Sequence, residues 1–312
     1  MSLEEKLGVA KRDDRKGILT NVYVIHPFER KLSGWTVTFD ALNRLKEMTE
    51  DDKKLEHNQW IVDYAWEDDE FPVNSNNFRC DEFSSTHEGK HILFSGCSVT
   101  YGMGLYTKET WSNILYNKIK ETENVSGYYN LGTPGTSTID IVSNVFKYIS
   151  LYGKPEAIFL DLPDTNRFYH IKDEEVLKRV NPGMPGYAKN VLSKIIFQAM
   201  WRGLPNPQIE VIKVYTYNAL MMLEEYCKSN NIKLYVFSYV DDTINFLLDT
   251  DLERVFNINQ NEILLSLYEK DKDNPSEFFL TARDGRHHGY GFHEVWADRM
   301  FKFYELEKNN DR

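Results

Sequence analysis

The chain has 312 residues, with 48 acidic and 37 basic side chains and a formal charge of −11. Hydrophobic residues make up 41% and charged residues 27%, with 17 Gly and 10 Pro, a composition that excludes wholesale disorder and collagen-like or low-complexity chains. The acidic balance, without a basic stripe, argues against a nucleic-acid partner, and no apolar run reaches the roughly 18 residues that a membrane-spanning helix needs.

The start, Met1-Ser2-Leu3-Glu4-Glu5-Lys6, is polar, so a cleaved signal peptide is not expected and a cytoplasmic or virion setting is. The three cysteines, Cys80, Cys97 and Cys227, are widely spaced and suggest neither a disulfide framework nor a zinc site. Residues 1–70 carry acidic runs at Glu50-Asp51-Asp52 and Glu67-Asp68-Asp69-Glu70 and read as a charged N-terminal extension or small subdomain. Residues 71–312 read as the main domain, with an insertion at about 163–207.

From residue 90 onward the pattern is regular. Ile92-Leu93-Phe94-Ser95 ahead of Gly96 reads as a buried strand, and 111–119 as a helix. Tyr128 to Leu131 forms a second strand closed by Gly132. Ser137 with Asp140 three residues later is a capping pattern, ahead of a helix with its apolar face at Ile141, Val142, Val145, Phe146 and Ile149. Ala157 to Leu160 is the third strand. Residues 163–207 carry Pro182, Pro185, Pro205 and Pro207 and read as irregular, with a short helix near 192–201. Residues 209–228 form a helix whose apolar stripe runs through Ile212, Tyr215, Ala219, Met222 and Tyr226. Leu234 to Phe237 is the fourth strand, Phe278-Phe279-Leu280 a fifth, and 291–306 the final helix. Alternating strands and helices imply parallel βαβ units, and so a three-layer α/β/α sandwich around a mainly parallel five-stranded sheet. Ligands of such sheets bind outside the carboxyl ends of the strands.

The segments at those ends are polar and glycine-containing: Gly96-Cys97-Ser98 through Gly102, Asn130-Leu131-Gly132, Asp164-Thr165-Asn166-Arg167, and Asp284-Gly285-Arg286-His287. Their chemistry is coherent. A serine hydroxyl needs a base to become a nucleophile. His287 is a candidate base, with Asp284 to orient its ring. The backbone N–H groups of Ser98 and Gly132 and the amide of Asn166 are candidate oxyanion donors.

These four segments, in this order, resemble the motifs of the SGNH (GDSL-like) hydrolase superfamily. The first family motif, Gly-Asp-Ser-x-x-x-Gly, matches Gly96 to Gly102 with Cys97 in place of Asp. The glycine after the second strand falls on Gly132. The third motif, Gly-x-Asn-Asp, is altered to Asp164-Thr165-Asn166-Arg167 but keeps Asn166. The last, Asp-x-x-His, matches Asp284 to His287. Residues 74–79, Asn-Ser-Asn-Asn-Phe-Arg, resemble the Asn-Ser-x-Gly-Phe-Arg lead-in of a subgroup related to polysaccharide-modifying esterases, and phage-encoded members often carry Gly-Cys-Ser in the first motif. The resemblance covers roughly residues 71–303. It implies a flavodoxin-like fold and a cofactor-free, metal-independent serine esterase. In it, Ser98 is the nucleophile, His287 the base and Asp284 its orienter, with Gly132 and Asn166 as oxyanion donors, acting on a small ester or acylated carbohydrate. The altered third motif leaves a second reading open: a non-catalytic module that binds carbohydrate or serves a virion.

Other features have plainer readings. Cys97 reads as a small buried residue whose side chain points away from that of Ser98. His293 falls on the final helix, where a structural hydrogen bond is the default, and His288 is one residue off the family spacing. His87-Glu88-Gly89-Lys90-His91 matches a zinc-protease signature, but Gly89 and the strand after His91 disfavour the helix that signature requires. Phe168, Tyr169, His170, Tyr187, Trp201 and Arg202 of the insertion read equally as a wall for a sugar or acyl ligand or as ordinary core and surface.

Overall fold

The computed structural model describes residues 74–76, 78–87, 89–165, 167–172, 176–180, 207–258, 260–273, 279–282 and 287–310. The expected N-terminal extension, Asn166, most of the proline-bearing insertion with its short helix near 192–201, and Asp284 lie outside them.

The central sheet has five strands in the order β2-β1-β3-β6-β7. They are β1 (Ile92–Gly96), β2 (Tyr129–Asn130), β3 (Ala157–Leu162), β6 (Lys233–Ser238) and β7 (Val255–Phe256), and all pair in parallel. A separate antiparallel hairpin joins β4 (Phe168–Lys172) to β5 (Val176–Val180). Set aside that hairpin, and the strand order is the flavodoxin-like one of a doubly wound sheet. Helices α2 (Trp111–Thr122) and α7 (Tyr290–Asn310) pack together on one side, and α3 (Thr138–Tyr152) and α4 (Pro207–Ser229) on the other. The short α1 (Ser98–Tyr101) follows β1, α5 (Asp241–Leu248) follows β6, and α6 (Gln260–Asp273) follows β7. The expected α/β sandwich with a parallel five-stranded sheet is the observed one.

The core is aromatic across the strands. Phe94 of β1 is in register with Phe159 of β3, and Phe159 with Tyr235 of β6. Their rings stack with centroids 5.4 and 4.8 Å apart, a cross-strand ladder that rewards this register over its neighbours. Trp111 lies edge-on to Phe94 and Phe237, and Tyr304 of α7 covers Phe159 and Tyr235. Ser137 caps α3 as expected, in a reciprocal box with Asp140.

Glu123, at the end of α2, ties three parts of this half together. It pairs with Lys90 ahead of β1 and with Lys308 of α7, and accepts from the Tyr304 hydroxyl at 2.7 Å. Burial alone would push its carboxyl up, but the hydrogen bonds from Lys308, Lys90 and Tyr304 outweigh that and hold it down at about 2.

Three expectations are corrected. The fifth strand is Val255–Phe256; of the expected residues 278–280, Phe278 lies outside the described residues, and Phe279 and Leu280 form a bend and no strand. Val255 and Phe256 pair in parallel with Val236 and Phe237 at the sheet edge, whereas Thr281 makes only an isolated bridge to His288. On α4 the buried stripe is Thr216, Leu220, Leu223 and Cys227, whereas Tyr215 and Met222 are 60% and 67% exposed. Both stripes satisfy the helical period, and packing against α3 and β6 selects the one with the branched leucines. Residues 168–172 and 176–180, expected to be irregular, pair as the antiparallel strands β4 and β5. The prolines that suggested irregular chain all lie beyond them.

The histidines of the protease-like signature are not on a helix. His91 leads directly into β1, its ring 3.9 Å from that of His87 and its Nε2 hydrogen-bonded to the Tyr148 hydroxyl. Among the described residues no group of three or more His, Cys, Asp or Glu side chains could hold a metal ion, and no helix is long and apolar enough to cross a membrane. Burial, with the adjacent His87, lowers the His91 pKa from 6.5 to about 3. Between those values the unfolded chain binds a proton that the folded chain refuses, so stability is full above about pH 6.5 and falls as the pH drops through this window. The expected slope for such a histidine is about 1.4 kcal/mol per pH unit. Thermal melts of His91→Asn should show lower stability at pH 7 and a shallower fall from pH 6.5 to 5 than the parent chain.

Candidate active site

Ser98 opens α1, immediately after β1 ends at Gly96. Cys97 is the N-cap residue, so the first-turn N–H groups, including that of Ser98, have no acceptor within the helix. The helix lasts one turn and stops at Gly102, whose φ of +80° is a left-handed conformation that favours glycine. Gly96 must be a glycine for another reason: a Cβ there would meet Thr100 Oγ1 at 2.0 Å and the Asp161 carbonyl at 2.8 Å. The two glycines of the first motif thus serve different ends, close approach at the start and handedness at the stop.

This turn is gripped from outside by Arg79, which is fully buried. Its guanidinium donates to the carbonyls of Tyr101 (3.3 Å), Gly102 (2.7 Å) and Leu105 (2.5 Å) and to Thr107 Oγ1 (3.1 Å). Arg79 ends the Asn-Ser-Asn-Asn-Phe-Arg lead-in, whose Asn74 Oδ1 accepts from the N–H groups of Asn76 and Phe78. Sequence reasoning noticed the lead-in but missed what its arginine does.

The loop after β2 is fixed from inside by Asn130, a second residue missed in the sequence. Its Nδ2 donates to the Thr100 carbonyl (2.8 Å) and the Tyr128 hydroxyl (2.9 Å), and its Oδ1 accepts from Gly132 N–H (2.7 Å). A Cβ on Gly132 would meet backbone atoms of Tyr101 and Thr100 at 2.5 and 2.7 Å. Gly132 is therefore pressed directly against α1, with its N–H engaged by Asn130 in the free protein.

His287 brings the far end of the chain to Ser98. Its Nε2 lies 2.9 Å from Ser98 Oγ, within reach for proton transfer. The two neighbouring histidines are occupied elsewhere. The His288 ring packs among Tyr239, Phe292 and Trp296, and burial, with His287 nearby, lowers its pKa to about 4. His293 Nδ1 accepts from the Trp111 N–H at 3.0 Å, the structural bond expected for it. Burial first, then the nearby His288, His287 and Arg79, hold its pKa well below the usual value. Of the five expected site residues, the structure brings Ser98, Gly132 and His287 to the same strand ends, while Asn166 and Asp284 lie outside the described residues.

Cys97 is buried as expected, but not turned away from the serine. Its Sγ lies 3.9 Å from Ser98 Oγ and 3.5 Å from the Tyr239 hydroxyl. The alternation of an extended strand does not apply, because the chain turns into a helix between the two residues. Asp161, the fifth residue of β3, is fully buried behind this turn. It accepts from Thr100 Oγ1 at 2.9 Å. Burial raises its pKa to about 7, against the opposing pull of the Thr100 hydrogen bond and the Arg167 charge.

No family model and no curated protein matches the sequence. Among solved structures, the chain is similar to the psychrotrophic esterase EstA from Pseudoalteromonas sp., in a form inhibited by monoethylphosphonate. That likeness has 14% identity and a TM-score of 0.42, over 70% of this chain and 99% of that one. It is also similar to a protein of the G-D-S-L family from Desulfitobacterium hafniense DCB-2, with 12% identity and a TM-score of 0.37, over 69% of this chain and 99% of that one.

Replacing Arg79 by Met keeps its bulk but leaves three buried carbonyls without their charged donor. The expected cost is about 3 kcal/mol or more, to be read from urea unfolding of Arg79→Met beside the parent chain.

Proposed function

We propose that the chain is a serine esterase that cleaves a carboxylic ester through a covalent acyl-enzyme. The observation that carries this reading is the 2.9 Å contact between Ser98 Oγ and His287 Nε2, made at the carboxyl ends of a parallel sheet, where such folds bind ligands. In the proposed reaction His287 Nε2 takes the Ser98 proton as Oγ attacks the ester carbonyl. The protonated ring then gives that proton to the leaving alcohol. Water repeats the sequence on the acyl-enzyme, with His287 again as base, and releases the acid. Because Nε2 faces the serine, Nδ1 is the ring atom for an orienting carboxylate, the part assigned to Asp284. The developing oxyanion is assigned to the Ser98 N–H, to Gly132 N–H shared with Asn130, and to the Asn166 amide. These steps need no metal. The favoured substrates are O-acetylated carbohydrates and other small esters, and transfer of the acyl group to a sugar hydroxyl would use the same residues.

A non-catalytic carbohydrate-binding or virion module is the second reading. The observation in its favour is that Gly132 N–H is already engaged by Asn130, leaving one oxyanion donor committed within the protein.

A fluorophosphonate probe at neutral pH is expected to label Ser98, as mapped by mass spectrometry. Labelling should be lost in Ser98→Ala and strongly reduced in His287→Ala. Both variants should lower kcat/KM on a small acetyl ester by at least about 10³-fold while keeping the parent's circular dichroism. A folded chain that neither labels nor hydrolyses would favour the second reading.

A further inference from the structure

Arg167 gathers the ends of four strands. It follows β3, and its backbone N–H donates to the Asp164 carbonyl at 3.1 Å. Its guanidinium donates to the Thr136 carbonyl, in the loop after β2, at 3.3 Å. The same group lies against the Cys97 thiol after β1 and beside the Tyr239 phenol after β6. Cys97 Sγ is itself 3.9 Å from Ser98 Oγ. A permanent cation therefore stands one side chain away from the serine, on the crevice side of the sheet.

That cation is incompletely answered by the protein. Its Nε is buried and has no hydrogen-bond partner, and among the described residues it forms no ion pair with a carboxylate. Asp161 and Asp164 act on it through their charges. Asp161, however, already accepts from Thr100 through Oδ2, and with a pKa of about 7 it is only partly ionised at neutral pH. Arg167 is half-buried, and although burial opposes its charge, Cys97, Tyr239 and Asp164 together favour the charged form, so the group stays a cation whose planar fork suits a carboxylate or a sulfate better than a neutral group. An anion arriving in the crevice would supply what the protein leaves out.

We propose that Arg167 receives a negatively charged group of the ligand, a carboxylate or sulfate carried close to the ester, so that the chain selects acidic over neutral esters. The anion site stands on the geometry of Arg167; its position beside a scissile bond rests on the esterase reading above.

The test uses the full chain carrying Ser98→Ala, so that ligands bind without turnover, and measures Kd by NMR titration for two matched pairs. Monomethyl succinate against methyl 4-methylpentanoate places the charge on the acyl side. Acetylated galacturonate against acetylated galactose places it on the alcohol side. In at least one pair the anionic member should bind about tenfold or more tightly, and the responding pair identifies the side. Adding Arg167→Gln should bring that ratio close to one, and Arg167→Lys should retain part of it. The ratio within a pair remains readable even if the variant weakens binding in general. Equal or absent binding of both members in both pairs overturns the proposal, as does a preference that survives Arg167→Gln. Fluorophosphonate labelling of the chain with Ser98 intact reports separately on the esterase reading. A charge preference lost with Arg167 but unaccompanied by labelling would uphold the anion site and remove only the esterase.

Discussion

The N–H of Trp111 donates to His293 Nδ1 across 182 positions of sequence, and this bond fixes the first turn of α7 to the first turn of α2. His287 lies six residues ahead of His293. It is held there by short backbone bonds, from Ala282 N–H to its own carbonyl and from Gly289 N–H to the Leu280 carbonyl. The meeting of His287 with Ser98 therefore depends on where α7 docks. Because Nδ1 of His293 accepts, that ring must be neutral, and complete burial keeps it so. The buried His293 is thus the anchor that lets His287 reach Ser98.

The serine side is held by side chains from three separate parts of the chain. Arg79 draws the carbonyls after α1 outward, Asn130 draws the Thr100 carbonyl toward β2, and Asp161 takes the Thr100 hydroxyl. A one-turn helix has too few internal bonds to hold itself, so these three side chains take the place of the missing turns. The absence of side chains at Gly96 and Gly132 lets the surrounding backbone close on it.

Much of this was legible in the chain itself. The apolar runs at 92–95, 157–160 and 234–237 and the Ser137–Asp140 box marked elements whose period or capping chemistry is local. Ser98, Gly132 and His287 were legible because each sits where a parallel strand ends or where the last helix begins. What was not legible depends on tertiary choice. The α4 helix carries two stripes of equal period, and only the packing decides between them. A two-residue strand such as Val255–Phe256 is too short to have a period at all. Arg79, Asn130 and Arg167 stand inside segments that the sequence singles out, and Asp161 at a strand end, but nothing local to any of them tells which groups it will hold. They acquire their roles from carbonyls and hydroxyls brought in from 22 to 61 positions away.

The clamp at Glu123 has a mechanical consequence. Lys308 and Tyr304, which bind it, sit near the far end of α7, and His287 lies just ahead of the near end. At 1.5 Å per residue the helix between Tyr290 and Lys308 is about 27 Å long. A tilt of about 2° at the clamp would sweep the near end by about 1 Å, enough to break the 2.9 Å contact between His287 and Ser98. The helix is a lever, and its fulcrum is a largely buried carboxylate that also holds Lys90 just ahead of β1, the strand whose other end leads to Ser98.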